Sequence, residues 1–257
     1  MLRYLSLLSL LFLFSCAHGK KEVSYRIGEK EFKGYIAHAK NVEGKRPGII
    51  VVHEWWGQNE FARAQADKLA EMGYTAMAID MYGEGKTTTH PSEAGEFAKS
   101  VYTNMDEATK RFDKALEVLK SQPDVDADKI GAVGFCFGGS VVLSMARLGK
   151  DLDAVVSLHG GLQLPVKAKR GVFNGKVLVL TGDADPMVPA KDVKQFKRDM
   201  RRAKIDTEVV GYEGALHAYS NPNADKVAKE YKLPLGYDAK ATADSWERMT
   251  KLFKEVF

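Results

Sequence analysis

A cysteine at the centre of a glycine-rich hexapeptide is the first candidate for chemistry in this chain. Cys136 has Gly134 and Gly138 two residues away on either side. The apolar residues 130–133 before it predict a buried strand, and residues 140–146 after it predict a helix. In the G-x-S-x-G elbow, glycines at these two positions let a nucleophile occupy a sharp turn between strand and helix. The pattern therefore predicts a nucleophile elbow that carries a thiol where serine is usual.

The cysteine count bears on the alternative, an inert buried thiol beside a glycine-rich turn. The chain has two cysteines, Cys16 and Cys136. If Cys16 is acylated, Cys136 is the only free thiol of an exported protein and has no internal disulfide partner. A lone thiol in an oxidising compartment must be either shielded or used. This count favours a catalytic role for Cys136.

Partners for this thiol follow two later predicted strands. Asp183 and Asp185 come after the first of these strands, and His217 comes after the second. Nucleophile, acid and histidine in this order are typical of the α/β-hydrolase architecture, in which such residues lie at the carboxyl ends of strands. We expect His217 to take the thiol proton and one aspartate to hold the imidazole in its tautomer. Asp183 is nearer the strand end and could instead cap the turn.

The elements that must position these residues alternate along the chain. Residues 23–27 and 31–37 alternate in polarity around Gly28-Glu29 and predict a hairpin, and residues 49–52 are apolar on both faces like a central parallel strand. Further strands are predicted at 75–79, 154–158, 177–180 and 207–210, and further helices at 60–72, 92–103, 106–122, 190–203 and about 240–256. The fold class is therefore α/β: one α/β-hydrolase-type domain with a mostly parallel central sheet, helices on both faces and an N-terminal hairpin.

The N-terminus has the pattern of a targeting segment. Arg3 precedes an apolar run, and residues 13–16 (LFSC) resemble a bacterial lipobox with Cys16 at the cleavage point. We predict a signal peptide over 1–15, a lipidated Cys16 with a short tether over 16–21, and the hydrolase domain over 22–257. The protein is then exported, as a lipoprotein of the bacterial cell envelope or as a periplasmic protein without lipid. Membrane contact is expected only through the anchor at Cys16.

Charge and motif content narrow the partners. The formal net charge is +4, acids and bases are interspersed along the chain, and no arginine-rich stripe alternates with aromatic residues. Nucleic acid is therefore not expected as a partner. His53-Glu54 begins like a zinc motif, but Gly57 stands where the second histidine is needed. Residues 83–87 (GEGKT) resemble the end of a P-loop without its first glycine, so neither a metal nor another cofactor is predicted.

His159-Gly160-Gly161 is similar to the oxyanion motif of lipases. It falls after the candidate nucleophile in the sequence, whereas the lipase motif precedes it. We interpret these residues as a turn at a strand end that could also line the pocket.

Four segments together resemble the dienelactone hydrolase family of the α/β-hydrolase fold. They are residues 53–57 (HEWWG), 134–139 (GFCFGG), 182–189 (GDADPMVP) and 214–219 (GALHAY). The resemblance extends over nearly the whole chain after residue 22. It implies a hydrolase that cleaves small ester or lactone bonds, and it favours Asp185 over Asp183 as the acid.

The resemblance also implies further site residues. A glutamate at the position of Glu54 contacts the resting thiol in that family and helps to deprotonate it, which makes Glu54 the fourth catalytic residue. The backbone N–H of Phe137 and, by resemblance, that of Trp55 form the expected oxyanion hole. The alternative is a non-catalytic binding or scaffold lipoprotein of the same fold, which would have lost a member of this set.

Substrate charge is where the chain departs from the family. Members that act on anionic lactones hold the substrate carboxylate with two arginines, and the matching positions here are Glu84 and Asn221. Lys86 could replace them only as a mobile charge. Aromatic side chains are the expected walls of the substrate site, namely Trp56, Tyr82, Phe135 and Tyr219. We therefore predict a small neutral ester or lactone as substrate.

Overall fold

The structure is a computed structural model that describes residues 20–40 and 43–257. Within these residues the chain forms one eight-stranded sheet and seven α-helices. The strands are β1 (Lys20–Ile27), β2 (Lys30–Ala37), β3 (Arg46–Val52), β4 (Thr75–Ile79), β5 (Val125–Phe135), β6 (Ala154–Leu158), β7 (Lys176–Gly182) and β8 (Asp206–Tyr212). The helices are α1 (Glu60–Glu71), α2 (Pro91–Tyr102), α3 (Met105–Lys120), α4 (Phe137–Arg147), α5 (Ala190–Ala203), α6 (Ala224–Tyr231) and α7 (Ala239–Val256).

The sheet has the strand order β1-β2-β4-β3-β5-β6-β7-β8. Strands β3 to β8 are parallel, and the hairpin of β1 and β2 joins them through the antiparallel pairing of β2 with β4. The inner strands β4 and β6 are buried along their whole length, as their continuous apolar sequences predict. The predicted α/β fold, with its N-terminal hairpin and mostly parallel sheet, is confirmed.

Helices cover both faces of the sheet. Helices α1 and α7 pack on one face through Leu69, Trp246 and Phe253, whereas α2 to α5 pack on the other. The pattern of α5 shows why it forms at this place: Phe196, Met200 and Ala203 recur on one side and are buried. Side chains also fix helix starts, since Asp238 accepts the Ala241 N–H at 2.9 Å before α7.

Several element boundaries are shifted by a few residues, and two differences from the predictions are more substantial. Strand β1 begins at Lys20, so the last two residues of the predicted 16–21 tether already pair with β2. Helix α6 was not predicted because it is only eight residues long and only one of its residues, Ala224, is buried. The predicted signal peptide and the lipidated Cys16 lie outside the described residues. Among residues 20–40 and 43–257, no helix combines the length and the apolar character that a membrane crossing requires.

Helix α4 starts unusually close to the sheet because two glycines permit it. A Cβ atom at Gly134 would overlap the carbonyl of Gly138, and one at Gly138 would overlap the carbonyl oxygen of Val52. Any larger residue would therefore push the first turn of α4 away from the ends of β3 and β5. This close approach sets the position of Cys136, the residue between β5 and α4.

Gly138→Ala should destabilise the fold by about 3 kcal/mol, because the added methyl meets backbone that cannot move aside. Gly95 provides the matched control, since it also lies inside a helix but has open space around it. Gly95→Ala should instead stabilise the protein by about 0.5–1 kcal/mol. Urea unfolding of both variants measures the difference, and equal stabilities would contradict the packing described above.

Candidate active site

Cys136 lies in a sharp turn with a backbone conformation that few residues adopt. Its φ of 51° and ψ of −114° place it in a strained region, which costs on the order of 1–3 kcal/mol. Its N–H donates to the Leu158 carbonyl at 3.0 Å and to Nδ1 of His159 at 3.1 Å. Its own carbonyl accepts the N–H groups of Gly139 and Ser140. These bonds hold the strained turn, and the thiol remains partly exposed.

His159 lies at the end of β6, directly against this turn, and is fully buried. Because its Nδ1 accepts the Cys136 N–H, the proton of the neutral ring is on Nε2, which donates to Ser220 Oγ at 2.7 Å. Burial, followed by the charge of His217, holds the pKa of His159 well below its ordinary value. His159 is thus a neutral support of the elbow at the predicted strand-end turn. The sequence signal was its position at the end of the strand next to β5.

Cys136, His217 and Asp185 form one chain of hydrogen bonds. His217 Nε2 lies 3.0 Å from Cys136 Sγ, and His217 Nδ1 lies 2.7 Å from Asp185 Oδ2. Both His217 and Asp185 are buried. The Met187 N–H donates to the other oxygen of Asp185 at 2.8 Å, which fixes the carboxylate toward the imidazole. The structure therefore brings together a thiol, a base and an orienting acid in the geometry that nucleophilic catalysis requires.

Asp183 has a different environment. It is exposed, and its carboxylate packs against Gly211 at the end of β8 rather than against His217. Of the two aspartates that the sequence left open, only Asp185 contacts the imidazole.

The charge of His217 is set by its neighbours. Burial opposes the charged imidazolium, but Cys136 and the hydrogen-bonded carboxylate of Asp185 outweigh burial and raise the pKa of His217 to about 10. A raised pKa favours the protonated ring, the form that can balance a thiolate. A proton held at Nε2 lies next to the sulfur, where a leaving group would form.

Glu54 lies two residues after β3, and among the described residues no hydrogen bond joins its carboxyl to the Cys136 thiol. Its Oε2 accepts a hydrogen bond of 2.7 Å from the Asn221 amide, and the side chain is buried. The Asn223 N–H donates to Asn221 Oδ1 at 2.9 Å, so the amide is oriented with its NH₂ toward Glu54. Burial raises the pKa of Glu54 to about 7, against lowering by Asn221 and by the charge of His217. The contact with the resting thiol that the resemblance implied is absent among the described residues, because Asn221 holds the carboxyl instead.

The two competing motifs have structural roles in this fold. His53 donates from Nδ1 to the Glu54 carbonyl and accepts the Met81 N–H at Nε2, so both ring nitrogens are occupied. In the P-loop-like segment, the backbone N–H groups of Gly83 and Gly85 donate to the carboxylate of Asp80. Asp80 accepts N–H groups from the residues Tyr82, Gly83, Gly85 and Lys33.

Two tyrosines support the residues of the expected oxyanion hole. Tyr82 donates its hydroxyl to the Trp55 carbonyl at 3.0 Å, and Tyr102 donates to the Phe137 carbonyl at 3.3 Å. Phe137 is the first residue of α4, where N–H groups have no intrahelical acceptor. Trp55 lies in the turn after β3, whose Gly57 N–H donates to the Glu54 carbonyl. The role of these two N–H groups in oxyanion binding stays a prediction.

The aromatic walls expected for the substrate site are not exposed to a cleft. Phe135 and Tyr219 are fully buried, since Phe135 packs on Phe61 behind the sheet and the Tyr219 hydroxyl bonds Ser245. Neither side chain offers surface to a cleft in this structure, and their contact with substrate stays a prediction. Trp56 and Tyr82 are buried as well, and each packs against other aromatic rings.

A cleft of about 710 Å³ adjoins the triad. It borders the triad rather than containing it: Ser140 lies one turn after Cys136, and Pro186 follows Asp185. Its walls are largely apolar, and a cation and an anion, Lys191 and Asp192, lie at its edge. The remaining lining residues are Tyr102, Gly161, Leu162, Gln163, Leu164, Pro165, Met187 and Pro189.

The two positions that match the substrate-binding arginines of the family, Glu84 and Asn221, carry no cation here. The Glu84 carboxylate pairs with Lys86 at 2.8 Å on the surface, and Asn221 is engaged with Glu54. Lys86 is therefore already partnered.

The buried Glu54 should make stability depend on pH. Its pKa rises from 4.5 to about 7 on folding, so between these values the folded protein binds a proton that the unfolded chain does not. Stability then falls as pH rises through this window, by about 3 kcal/mol in all. Glu54→Gln does not titrate and should gain that amount over the parent protein between about pH 4 and 8.

Urea unfolding across this pH range measures the difference. Exposed Glu213 is the control position, and Glu213→Gln should follow the pH profile of the parent. Parallel profiles for the parent and Glu54→Gln would contradict a raised pKa at Glu54.

Comparison with known proteins identifies the family to which the chain belongs. The profile of the dienelactone hydrolase family matches residues 32–257. The chain is 31% identical over 230 residues to protein usf of Aquifex pyrophilus, covering 87% of this chain and 93% of that one. It is 28% identical to an Aquifex aeolicus protein that carries a provisional carboxymethylenebutenolidase name, with 86% and 92% covered.

Among solved structures, a dienelactone hydrolase-like promiscuous phosphotriesterase from metagenomic libraries is similar. It superposes with a TM-score of 0.84 at 32% identity, covering 93% of this chain and 98% of that one. The family resemblance seen in the four sequence motifs is thereby confirmed. The chain belongs to the dienelactone hydrolase family.

Proposed function

We propose that this protein hydrolyses small neutral esters or lactones through a thioester formed on Cys136. The observation that supports it best is the continuous hydrogen-bonded chain from Cys136 Sγ through His217 to Asp185. Family membership and the provisional carboxymethylenebutenolidase name of a relative point to the same bond type.

The first half of the reaction transfers the acyl group to sulfur. The Cys136 thiolate attacks the carbonyl carbon, and the carbonyl oxygen becomes an oxyanion that the N–H groups of Phe137 and Trp55 stabilise. The His217 imidazolium then gives its Nε2 proton to the leaving alkoxide as the C–O bond breaks. Asp185 keeps the ring oriented and offsets its positive charge throughout.

The second half returns the enzyme to its starting state. Water attacks the thioester while His217 Nε2 takes a proton from it, and the second tetrahedral intermediate releases the carboxylic acid and the Cys136 thiolate. With a lactone, alcohol and acid leave as one molecule, because the ring has opened.

Glu54 serves as the fourth catalytic residue, and the hydrogen bond from Asn221 holds it in the position from which it acts. Its carboxylate is attracted by the charge of His217, so an ionised Glu54 favours the imidazolium and with it the thiolate. In this proposal the carboxyl acts through His217, and no direct contact with the sulfur is needed.

A neutral substrate fits the cleft. The walls are mainly aliphatic, and Lys191 at the edge is accompanied by Asp192. Neither Glu84 nor Asn221 provides the guanidinium fork that binds a carboxylate with two hydrogen bonds. The alternative, a non-catalytic scaffold of the same fold, would have no need of an assembled triad.

Replacing the nucleophile should abolish turnover without loss of the fold. Cys136→Ala should lower kcat for a chromogenic ester by about a thousandfold or more, since the step through the thioester is lost. Thermal unfolding shows whether the variant is folded, and iodoacetamide treatment of the parent protein should reproduce the loss. A folded alanine variant that retains most of its activity would contradict the proposal, and inactivity of the untreated parent on every ester tested would favour the scaffold.

The two neighbouring aspartates should differ in their effect on kcat. Asp185→Asn removes the carboxylate that orients and charges His217, and should lower kcat by about a hundredfold or more. Asp183→Asn is the matched control, because it makes the same chemical change on an exposed side chain two residues away. A larger loss for the Asp183 variant would exchange the two roles.

Neutral substrates should react faster than anionic ones. We expect kcat/KM for a neutral lactone to exceed that for a carboxylated analogue of the same ring, because the cleft offers no arginine to the carboxylate. The two substrates are compared in the same buffer at two ionic strengths. A preference of about tenfold for the anionic lactone, or about 1.4 kcal/mol, would show that a cation elsewhere binds it.

A further inference from the structure

One face of the protein concentrates positive charge far beyond the average of the chain. We call it the basic face; it consists of the loop 166–172 and of α5 with its final cap, Lys204. It contains ten exposed cationic side chains, namely Lys167, Lys169, Arg170, Lys191, Lys194, Lys197, Arg198, Arg201, Arg202 and Lys204. Only two acids, Asp192 and Asp199, lie in the same segments.

The resulting charge separation is large. The basic face has a net charge of +8, whereas the whole chain has +4, so all other residues together sum to −4. Acids and bases are mixed along the rest of the chain, but these two segments carry ten bases and only two acids. In the described part of the chain, none of the ten cations forms an ion pair within 4 Å. Unpaired cations on one face attract an extended anionic partner.

The loop and the helix form one continuous surface. Lys167 and Arg202 line the same cavity of about 450 Å³ between them. Buried Arg147 joins the two segments, since its Nη1 donates to the Val166 carbonyl at 3.0 Å and its guanidinium stacks on Phe196 of α5 at 5.1 Å. The cations are thus presented by a fixed surface, not by a free tail.

Aliphatic side chains are exposed beside the basic loop. Leu148 is 41% exposed and Val172 is 37% exposed, two of the five large apolar side chains that are exposed in the described residues. They lie in adjoining turns, because the backbone of Gly149 packs against the Val172 carbonyl. Cations next to exposed aliphatic groups are typical of surfaces that rest on the headgroup region of a membrane.

The same surface is a poor match for nucleic acid. Single-stranded nucleic acid is bound by aromatic side chains on which bases stack, and the basic face exposes no aromatic residue among its cations. The one large aromatic side chain that is prominently exposed in the described residues is Tyr237, in the connection between α6 and α7.

We propose that the basic face docks the protein on a bilayer of anionic phospholipids. This contact is additional to the acyl anchor expected at Cys16 and does not need it. Lys191 belongs both to the basic face and to the edge of the 710 Å³ cleft, so docking would bring the cleft close to the bilayer. If the proposed ester hydrolysis holds, the substrates would include neutral esters dissolved in the membrane.

Vesicle binding tests the docking without reference to activity. The protein is the chain from residue 17, which lacks Cys16 and the apolar segment before it. The described sheet begins at Lys20, and a solved structure aligns with 93% of this chain over 98% of its own length, so we expect the shortened chain to fold, which its thermal unfolding checks. Co-sedimentation compares phosphatidylcholine vesicles with vesicles that contain about one third phosphatidylglycerol. We expect binding at least about tenfold tighter to the anionic vesicles, with a large loss at about 0.5 M NaCl.

A pair of charge-matched variants locates the contact. Lys194→Glu, Lys197→Glu and Arg198→Glu combined should weaken vesicle binding by about tenfold or more. The control is Lys226→Glu, Lys229→Glu and Lys240→Glu combined, which reverses three exposed cations elsewhere and should change binding by less than about twofold. Neither set touches the triad or the cleft, so turnover of a water-soluble ester should be unchanged in both. Should the helix variant fail to fold, Lys167→Glu, Lys169→Glu and Arg170→Glu combined makes the same change in a loop.

Three results would overturn the docking proposal. Equal binding to neutral and anionic vesicles would show that charge has no role in binding. Equal losses of binding in the two triple variants would show that only the net charge of the protein matters, not the basic face. Binding to duplex DNA without binding to anionic vesicles would assign the face to nucleic acid. Loss of ester turnover in the unmodified protein would bear only on the hydrolase proposal, not on docking.

Discussion

The close approach of α4 to the sheet is the constraint on which the site depends. Cys136 has a positive φ, and the next turn of backbone passes so near β3 and β5 that only glycine fits at 134 and 138. A strained residue persists only where its surroundings over-determine it. Here the strain is held by hydrogen bonds to Leu158 and His159 on the neighbouring strand. The reactive sulfur is thus presented by the packing of the core.

A single turn, residues 217–221, organises the rest of the site. His217 contacts the sulfur, Ser220 accepts the Nε2 proton of His159 beneath the elbow, and Asn221 holds Glu54. The chain after α6 returns to support this turn, where the Gly236 N–H donates to the His217 carbonyl at 3.1 Å. The segment thus contains His217 itself together with the hydrogen-bond partners of His159 and of Glu54, and a shift of the segment would disturb all three interactions.

Buried ionisable groups in this site are distinguished by their partners. The rings of His159 and His217 lie only 5.4 Å apart, yet their pKa values shift in opposite directions. His159 accepts an N–H and stays neutral, whereas His217 lies between a sulfur and a carboxylate and is charged. The hydrogen-bond partner of Glu54 is the neutral amide of Asn221, and burial outweighs both that bond and the charge of His217, so the pKa of Glu54 rises. The same physical terms thus lower the pKa of His159 and raise those of His217 and Glu54 within one small volume.

The strands, the helices other than α6 and the order of the reactive residues could be predicted from the sequence, because apolar periodicity and glycine spacing are local patterns. Cys136, His217 and Asp185 could be chosen from motifs alone, and the sheet places them in contact. The tertiary structure alone decided the partners of the other polar groups. Glu54 meets Asn221 across 167 residues, and His159 meets Ser220 across 61, because strand order in the sheet brings their loops together. It also turned Phe135 and Tyr219 inward and placed the basic loop 166–172 beside the basic helix α5, since burial and the adjacency of distant segments depend on which elements become neighbours.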